Sequence, residues 1–422
     1  MHFVRTRAFW LTMGAIVLVL FGLLIAAHIE APAILGFDDF VAYWAVGRLA
    51  LSGRNPYDVA LIQEMQATVG WPHDWALVVW NPPWALGFTM AAGAFPYHTA
   101  RLLWFGLHFT IIAACSQWLW RYYWGGTGPA IGIAIVVFAF LPALFVLKIG
   151  NITPLTLIGL VGFLHFSDKG RQGCAGVCLA LTLIKPHLFY LVWAIVGLQA
   201  LRRRQPALVL GAALGVGVGM AVAVAAVPSA MGDFVRVWVH SAPAEWVTPT
   251  LGSLLRLALG WHCVGLQLAP SFLALIALVV YWRGKCEWSW RSELPLLVAL
   301  SFASTPWGWG TDGVLLLLPL LHALGSLRNL NRGRQYALVA AYVLINLMTA
   351  SLWPLPALVY NSATDQRLPL SFFLRPSILW QIPVTWMWVA LYIVARKWGS
   401  LGRANAAGAV PQAPAVTLPT DS

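Results

Sequence analysis

The sequence predicts an all-α polytopic membrane protein, a bundle of about twelve transmembrane helices with a helical first outer loop. Two observations predict it. Of the 422 residues, 60% are hydrophobic and only 9% are charged, whereas a soluble chain carries roughly a quarter charged residues to face water. The apolar runs are also punctuated by short basic clusters, the pattern that orients membrane helices.

Taken in order, Met1 to Arg7 is a basic start and the apolar run after it is long for the core of a signal peptide, so it reads as a retained first helix with its N-terminus in the cytoplasm. Spans are expected near 8–28, 99–120, 129–147, 152–166, 172–184, 186–200, 206–227, 264–282, 293–304, 312–325, 335–351 and 376–396. Threading them alternately places Arg121, Lys169, Arg171, Arg202, Arg203, Arg204, Arg283, Lys285, Arg328, Arg332, Arg334, Arg396 and Lys397 on the inner side. Asp38, Asp39, Asp58, Asp74, Asp233, Asp312 and Asp365 fall on the outer side. Residues 1–398 then form the membrane domain. Residues 399–422, rich in Ala, Pro and Gly and almost uncharged, read as a disordered cytoplasmic tail.

The net charge of +12 does not point to nucleic acid, because the basic residues lie between apolar runs and form no single face. Cys174 and Cys178 stand one turn apart in an apolar segment with no His or carboxylate partner, and read as small buried hydrophobes. The histidines show no metal-ligand spacing, so neither a metal nor a cofactor is expected.

Between about Ala31 and Ala100 lies the largest non-spanning region. It is too apolar and too rich in Trp for a linker, and reads as helices lying on the membrane, one from Asp39 to Leu51 and one after Pro82-Pro83. Asp39 and Tyr43 share a helix face. One of the adjacent Asp38 and Asp39 can cap that helix; the other is left over, and a carboxylate on the outer side can take a proton from a hydroxyl. The run between Gly173 and Ala200 lies between basic clusters with Lys185-Pro186 at its middle, so two short helices meet there at a polar notch. Lys185 and Lys148 either bind an anion or snorkel to the interface. His187 is a donor beside Lys185 or an interfacial histidine. Asp312 is a helix cap or a polar substrate contact. Trp307 belongs either to the interfacial belt or to a stacking site.

The stretch Asp39-Phe40-x-x-Tyr43, then Gly53-x-Asn55-Pro56-Tyr57-Asp58 and Asn81-Pro82-Pro83, resembles glycosyltransferase family 87, whose members are GT-C-type enzymes that include polyprenyl-phosphate-mannose-dependent α-mannosyltransferases. Gly150-Asn151-x-x-Pro154-Leu155 and Ala175-Gly176 through Ile184-Lys185-Pro186 continue the likeness, with a weaker match from Ser304-x-Pro306 to Pro319. Asn81 stands where an aromatic often precedes the prolines, and Asn151 where Gln is commoner. The resemblance implies a GT-C-type bundle that carries a sugar, mannose by this likeness, from a polyprenyl-phosphate donor to a glycolipid or glycan acceptor. Transfer would invert the anomeric carbon on the outer face of the bacterial cytoplasmic membrane. It implies Asp39 as the base, Lys185, Lys148 and His187 at the donor phosphate, and Asp38, Tyr43, Asn81, Asn151, Asp312 and Trp307 at the substrates. A transporter or flippase for a lipid-linked sugar is the rival reading. It is disfavoured because no repeated halves with matching broken helices are visible.

Overall fold

The computed structural model describes residues 39–125, 134, 136–203, 206–240, 248–260, 262–285, 288–327, 330–351 and 376–408. Among these there is no β-strand, and the order of elements is helical throughout. The expected first span at 8–28, Asp38, Asp365 and part of the span at 129–147 lie outside the described residues.

The first loop contributes α1 (Asp39–Leu51), α2 (Val59–Ala67), and α3 (Leu86–Gly93), which follows a 3-10 turn at Pro83–Ala85. After it come α4 (Tyr97–Trp124), α5 (Leu141–Ile149), α6 (Pro154–Asp168) and α7 (Gln172–Ala180). Two 3-10 turns, Leu181–Ile184 and Pro186–Leu188, lead from α7 to α8 (Tyr190–Arg203) and α9 (Pro206–Ala226). The chain continues through α10 (Ala230–His240), α11 (Leu251–Leu259), α12 (Gly265–Arg283) and α13 (Trp290–Ser304). A 3-10 segment at Gly310–Leu316 then opens α14 (Leu317–Ser326), followed by α15 (Arg332–Ser351) and α16 (Pro376–Gly408).

Among the described residues three helices, α4, α9 and α12, are long and apolar enough to cross a membrane. The expectation of about twelve spans goes beyond these three, and the other apolar runs differ in length. Several, such as Pro154–Asp168 and Gly310–Ser326, are apolar but short, and a hydrocarbon core of about 30 Å takes some twenty helical residues. The region expected as a disordered tail begins as helix, since α16 runs to Gly408 among the described residues, and the alanines in the stretch 404–407 favour it.

The helix expected to lie on the membrane, α1, is packed against protein on most of its surface: Phe40 through Val46, with Leu49 and Ala50, are buried, and Arg48 is exposed. Backbones meet where α1 crosses α3. A methyl group at Gly47 would lie 1.8 Å from the Thr89 carbonyl oxygen.

The same small-residue device joins α7 to α9. A methyl group on Gly176 would sit 2.1 Å from the Leu208 carbonyl oxygen, and one on Gly211 would sit 2.1 Å from that of Gly173. Gly211, Gly215 and Gly219 recur every fourth residue and face the protein, while Leu210, Leu214 and Val218 are exposed on the other side. Between helices in lipid, where apolar contact with a neighbour gains little over contact with acyl chains, such close approach is a main source of association.

The two ends of α4 differ in chemistry. At its start the Tyr97 ring is 5.7 Å from that of Phe40 in α1. At its end the Arg291 guanidinium lies 4.5 Å over the Tyr122 ring and donates to the Tyr122 carbonyl. Beside Arg291, the buried Glu293 carboxylate is held by Lys285, by Arg396 (2.9 Å) and by the Tyr281 hydroxyl (2.8 Å). A helix of 28 residues spans about 42 Å, so α1 and this ion cluster stand at opposite ends of it.

We expect Gly211→Val to force α7 and α9 apart at a cost of about 1–3 kcal/mol, while Leu210→Val on the exposed face leaves stability nearly unchanged. Thermal unfolding of the detergent-solubilised protein, followed by chromatographic monodispersity, checks the contrast.

Candidate active site

The helix from α7 cannot continue through Pro186, which has no N–H to donate. Lys185 departs from helical geometry, with φ −135° and ψ 70°, and the carbonyls of Leu183 and Ile184 lose their partners four residues on. Side chains from the first loop take their place: Trp84 Nε1 donates to the Leu183 oxygen (3.0 Å) and Asn81 Nδ2 to that of Ile184 (2.9 Å). Buried carbonyls need such partners, so the Asn81 loop and the Lys185 turn hold each other.

The Gly53-to-Asp58 motif serves this loop. Asn55 Oδ1 accepts from the Tyr57 N–H (2.9 Å), Asp58 caps α2 through the Ala60 and Leu61 N–H groups, and the buried Tyr57 hydroxyl donates to the Asn81 carbonyl (3.3 Å). These residues are scaffold.

From the other side comes the turn after α5. Gly150 ends that helix with φ +71°, and a methyl group there would lie 2.7 Å from Cβ of Phe40. Both facts demand glycine. Trp104 Nε1 donates to the Gly150 carbonyl (2.8 Å). The next residue, Asn151, is thereby brought against Asp39, the neighbour of Phe40.

The side chains that meet here form one chain of contacts. Asn151 Nδ2 donates to Asp39 Oδ2 at 2.5 Å. Asn151 Oδ1 accepts from the Thr153 N–H (3.0 Å) and lies 2.6 Å from the Thr153 hydroxyl and 3.0 Å from Lys185 Nζ. Lys185 Nζ also donates to Asp312 Oδ1 at 2.6 Å, an oxygen that lies 2.7 Å from the Thr153 hydroxyl. Asp312 Oδ2 accepts from the Trp309 N–H (3.0 Å). Asp312 therefore caps the 3-10 segment with one oxygen and pairs with Lys185 through the other. Donors surround Oδ1 of Asn151, so its amide can present only N–H to Asp39.

Lys185, Asn151, Thr153 and Asp312 are buried, while Asp39 is partly exposed. The Asp39 carboxyl is raised above the usual aspartate range, first by burial and also by the Asp312 charge, against the lowering effects of the Asn151 N–H and Lys185. A carboxylate with one oxygen pinned, the other without a partner among the described residues and a raised proton affinity is suited to accept a proton.

The other sequence candidates distribute around this core. Tyr43 is buried one turn from Asp39, its ring 6.1 Å from that of Trp104. His187 is half-buried within electrostatic reach of Lys185 and Asp312, and its carbonyl accepts from the Thr305 hydroxyl (3.1 Å). Trp307 is partly exposed with its ring 6.4 Å from that of Trp238. Asn81 acts on the Lys185 turn through Ile184. Lys148 sits in the last turn of α5, two residues before Gly150, outside the set of contacts linking Asp39 to Asp312. Thr153 escaped the sequence reading; the signal was present, since a hydroxyl residue two places after an Asn commonly closes an Asx turn.

The sequence model described as glycosyltransferase family 87 matches residues 79–305, more than half of the chain. Asn81, Lys148, Asn151, Lys185 and His187 lie within the matched region, and Asp39 and Asp312 outside it. No curated protein and no solved structure matches the chain.

Gly150→Ala tests the local geometry. A side chain at positive φ costs about 1–3 kcal/mol, and the added methyl would also displace Phe40 and with it Asp39. We expect a lower unfolding temperature and loss of whatever activity the wild type has. Full activity would show that Asp39 is placed without this contact.

Proposed function

The chain belongs to glycosyltransferase family 87, and from that premise we propose that it transfers mannose from a polyprenyl-phosphate donor to a hydroxyl of a glycolipid or glycan, with inversion. It is a membrane glycosyltransferase, so the transporter reading falls away. The observation that carries the proposal is the carboxylate of Asp39, held by Asn151 through Oδ2, with no partner on Oδ1 among the described residues.

In this reading the acceptor hydroxyl passes its proton to Asp39 Oδ1 as its oxygen attacks the anomeric carbon. The bond from that carbon to the phosphate oxygen breaks, and polyprenyl phosphate leaves with the electron pair. The attack comes from the face opposite the leaving group, so configuration inverts. Charge grows on the departing phosphate, and donors already fixed in place stabilise it without reorganisation. Lys185 uses two of its three N–H groups on Asp312 and Asn151, which leaves one for that phosphate; His187 and Lys148 flank it. Tyr43, Asn81 and Trp307 surround the sugars.

We place the site on the outer side of the cytoplasmic membrane. The support is that α1 and the Lys285–Arg291–Arg396 cluster stand at opposite ends of α4, and clustered cations favour the cytoplasmic side. Single cysteines at Asp74 and Arg332 check this in intact cells with an impermeant thiol reagent. Labelling at 74 and protection at 332 are expected; the reverse pattern would turn the site inward.

For the chemistry, purified protein in nanodiscs is given a panel of polyprenyl-phosphate sugars with membrane lipid as acceptor, and release of polyprenyl phosphate is followed. Asp39→Asn should fold normally and lose activity by at least about a hundredfold, the lower range for a general base. The wild-type rate should fall as pH drops through the raised pKa of Asp39, because only the ionised form accepts a proton. That acid limb lies above the ordinary aspartate value of about 3.9. Undiminished release by Asp39→Asn would end the assignment.

A further inference from the structure

We propose that Asp312 is a positioning residue that acts on Asp39 through Lys185 and Asn151, and that it sets the proton affinity of the base. This rests on reading Asp39 as the base and adds what holds it ready. Asp312 is 1% exposed, with both oxygens occupied: Oδ2 by the Trp309 N–H and Oδ1 by Lys185 and Thr153. A sugar hydroxyl would have to displace one of these buried partners. A residue needed only to cap the 3-10 segment would require Oδ2 alone; the ion pair on Oδ1 serves something else.

What it serves follows from the charges. Asp39, Lys185 and Asp312 form a row of negative, positive and negative groups with the Asn151 amide between the first two. Lys185 is 8% exposed, so its charge is screened mainly by these neighbours. With Asp312 ionised, the Lys185 charge is met and its pull on Asp39 is offset. Asp39 then keeps the high proton affinity that a base needs. Without Asp312, the nearest anion available to Lys185 is Asp39, whose ionised form becomes too well stabilised to take a proton readily.

Thr153 ties the row together. Its one hydroxyl hydrogen lies between two acceptors, Asn151 Oδ1 at 2.6 Å and Asp312 Oδ1 at 2.7 Å, and it can serve one at a time. The acceptor it leaves is still held by Lys185, so both Asn151 and Asp312 remain fixed in either arrangement. The groups that face Asp39 are Asn151, Lys185, Asp312 and Tyr43, and His187 faces the Lys185–Asp312 pair.

The experiment reads the proton on Asp39 directly and needs no substrate. The full chain in nanodiscs is titrated by infrared difference spectroscopy, and the protonated carboxyl band of Asp39 is identified by its loss in Asp39→Asn. Asp312→Asn should move the titration midpoint down by about one pH unit, the lower range for an uncompensated neighbouring charge. Lys185→Met should move it up, since Asp312 then repels Asp39 unopposed. The double variant Asp312→Asn with Lys185→Met removes both charges and should bring the midpoint back near the wild type. Its neutral pair also avoids the buried unpaired ion that could prevent a single variant from folding. A midpoint that is the same in every folded variant overturns the coupling. Sugar transfer by Asp39→Asn would instead overturn the base assignment, and that result comes from the separate release assay.

Discussion

A lysine ammonium buried to 8% exposure inside an apolar bundle must be met by opposite charge and by hydrogen-bond acceptors, or it will not stay charged. The arrangement of this site answers that requirement at Lys185. Asp312 supplies the charge and Asn151 an acceptor, and each is itself held by a backbone N–H, from Trp309 and Thr153 respectively. Because Asn151 must turn its oxygen to Lys185, it must turn its N–H groups away, and Asp39 receives them. The orientation of a partly exposed carboxylate is thus decided by a cation several bonds behind it. The same Lys185 lies at a helix break, where Pro186 leaves two carbonyls to be satisfied by Asn81 and Trp84. Four segments remote in sequence are drawn together at one residue.

Much of this was legible in the sequence. The bounds of α1 were expected as Asp39–Leu51 and are found so, because an acidic residue opens the run and Ser52-Gly53 closes it. The break at Lys185-Pro186 was expected from proline chemistry alone. The presence of Asn151, Lys185 and Asp312 among the candidates came from motif order and from the cost of charge in an apolar run. Their mutual contact did not, since no local pattern says that residues 34 or 127 positions apart will meet.

What the sequence concealed has physical causes. The burial of α1 was missed because its Trp and Tyr residues suit an interface as well as a core, and only the glycines at Gly47 and Gly93 reveal the backbone contact with α3. The helices α2, α10 and α11 lie in segments too short or too polar to stand out from loops by hydropathy. Apolarity marks burial in protein as readily as burial in lipid, so short apolar helices such as α6 and α14 read like spans. The Gly53-to-Asp58 motif, quoted above for the family likeness, folds a loop, with Tyr57 as its link to Asn81.

The glycine row of α9 carries one more consequence. A methyl group at Gly219 would lie 2.5 Å from the carbonyl oxygen of Trp84, the residue whose indole satisfies Leu183 at the helix break. The opposite face of α9 presents Leu210, Leu214, Val218 and Val222 outward. One helix thickness therefore separates acyl chains from the backbone that shapes the Lys185 turn. A change in bilayer thickness or lateral pressure that tilts α9 acts on that turn through direct backbone contact. The lipid around this enzyme is mechanically a neighbour of its candidate site.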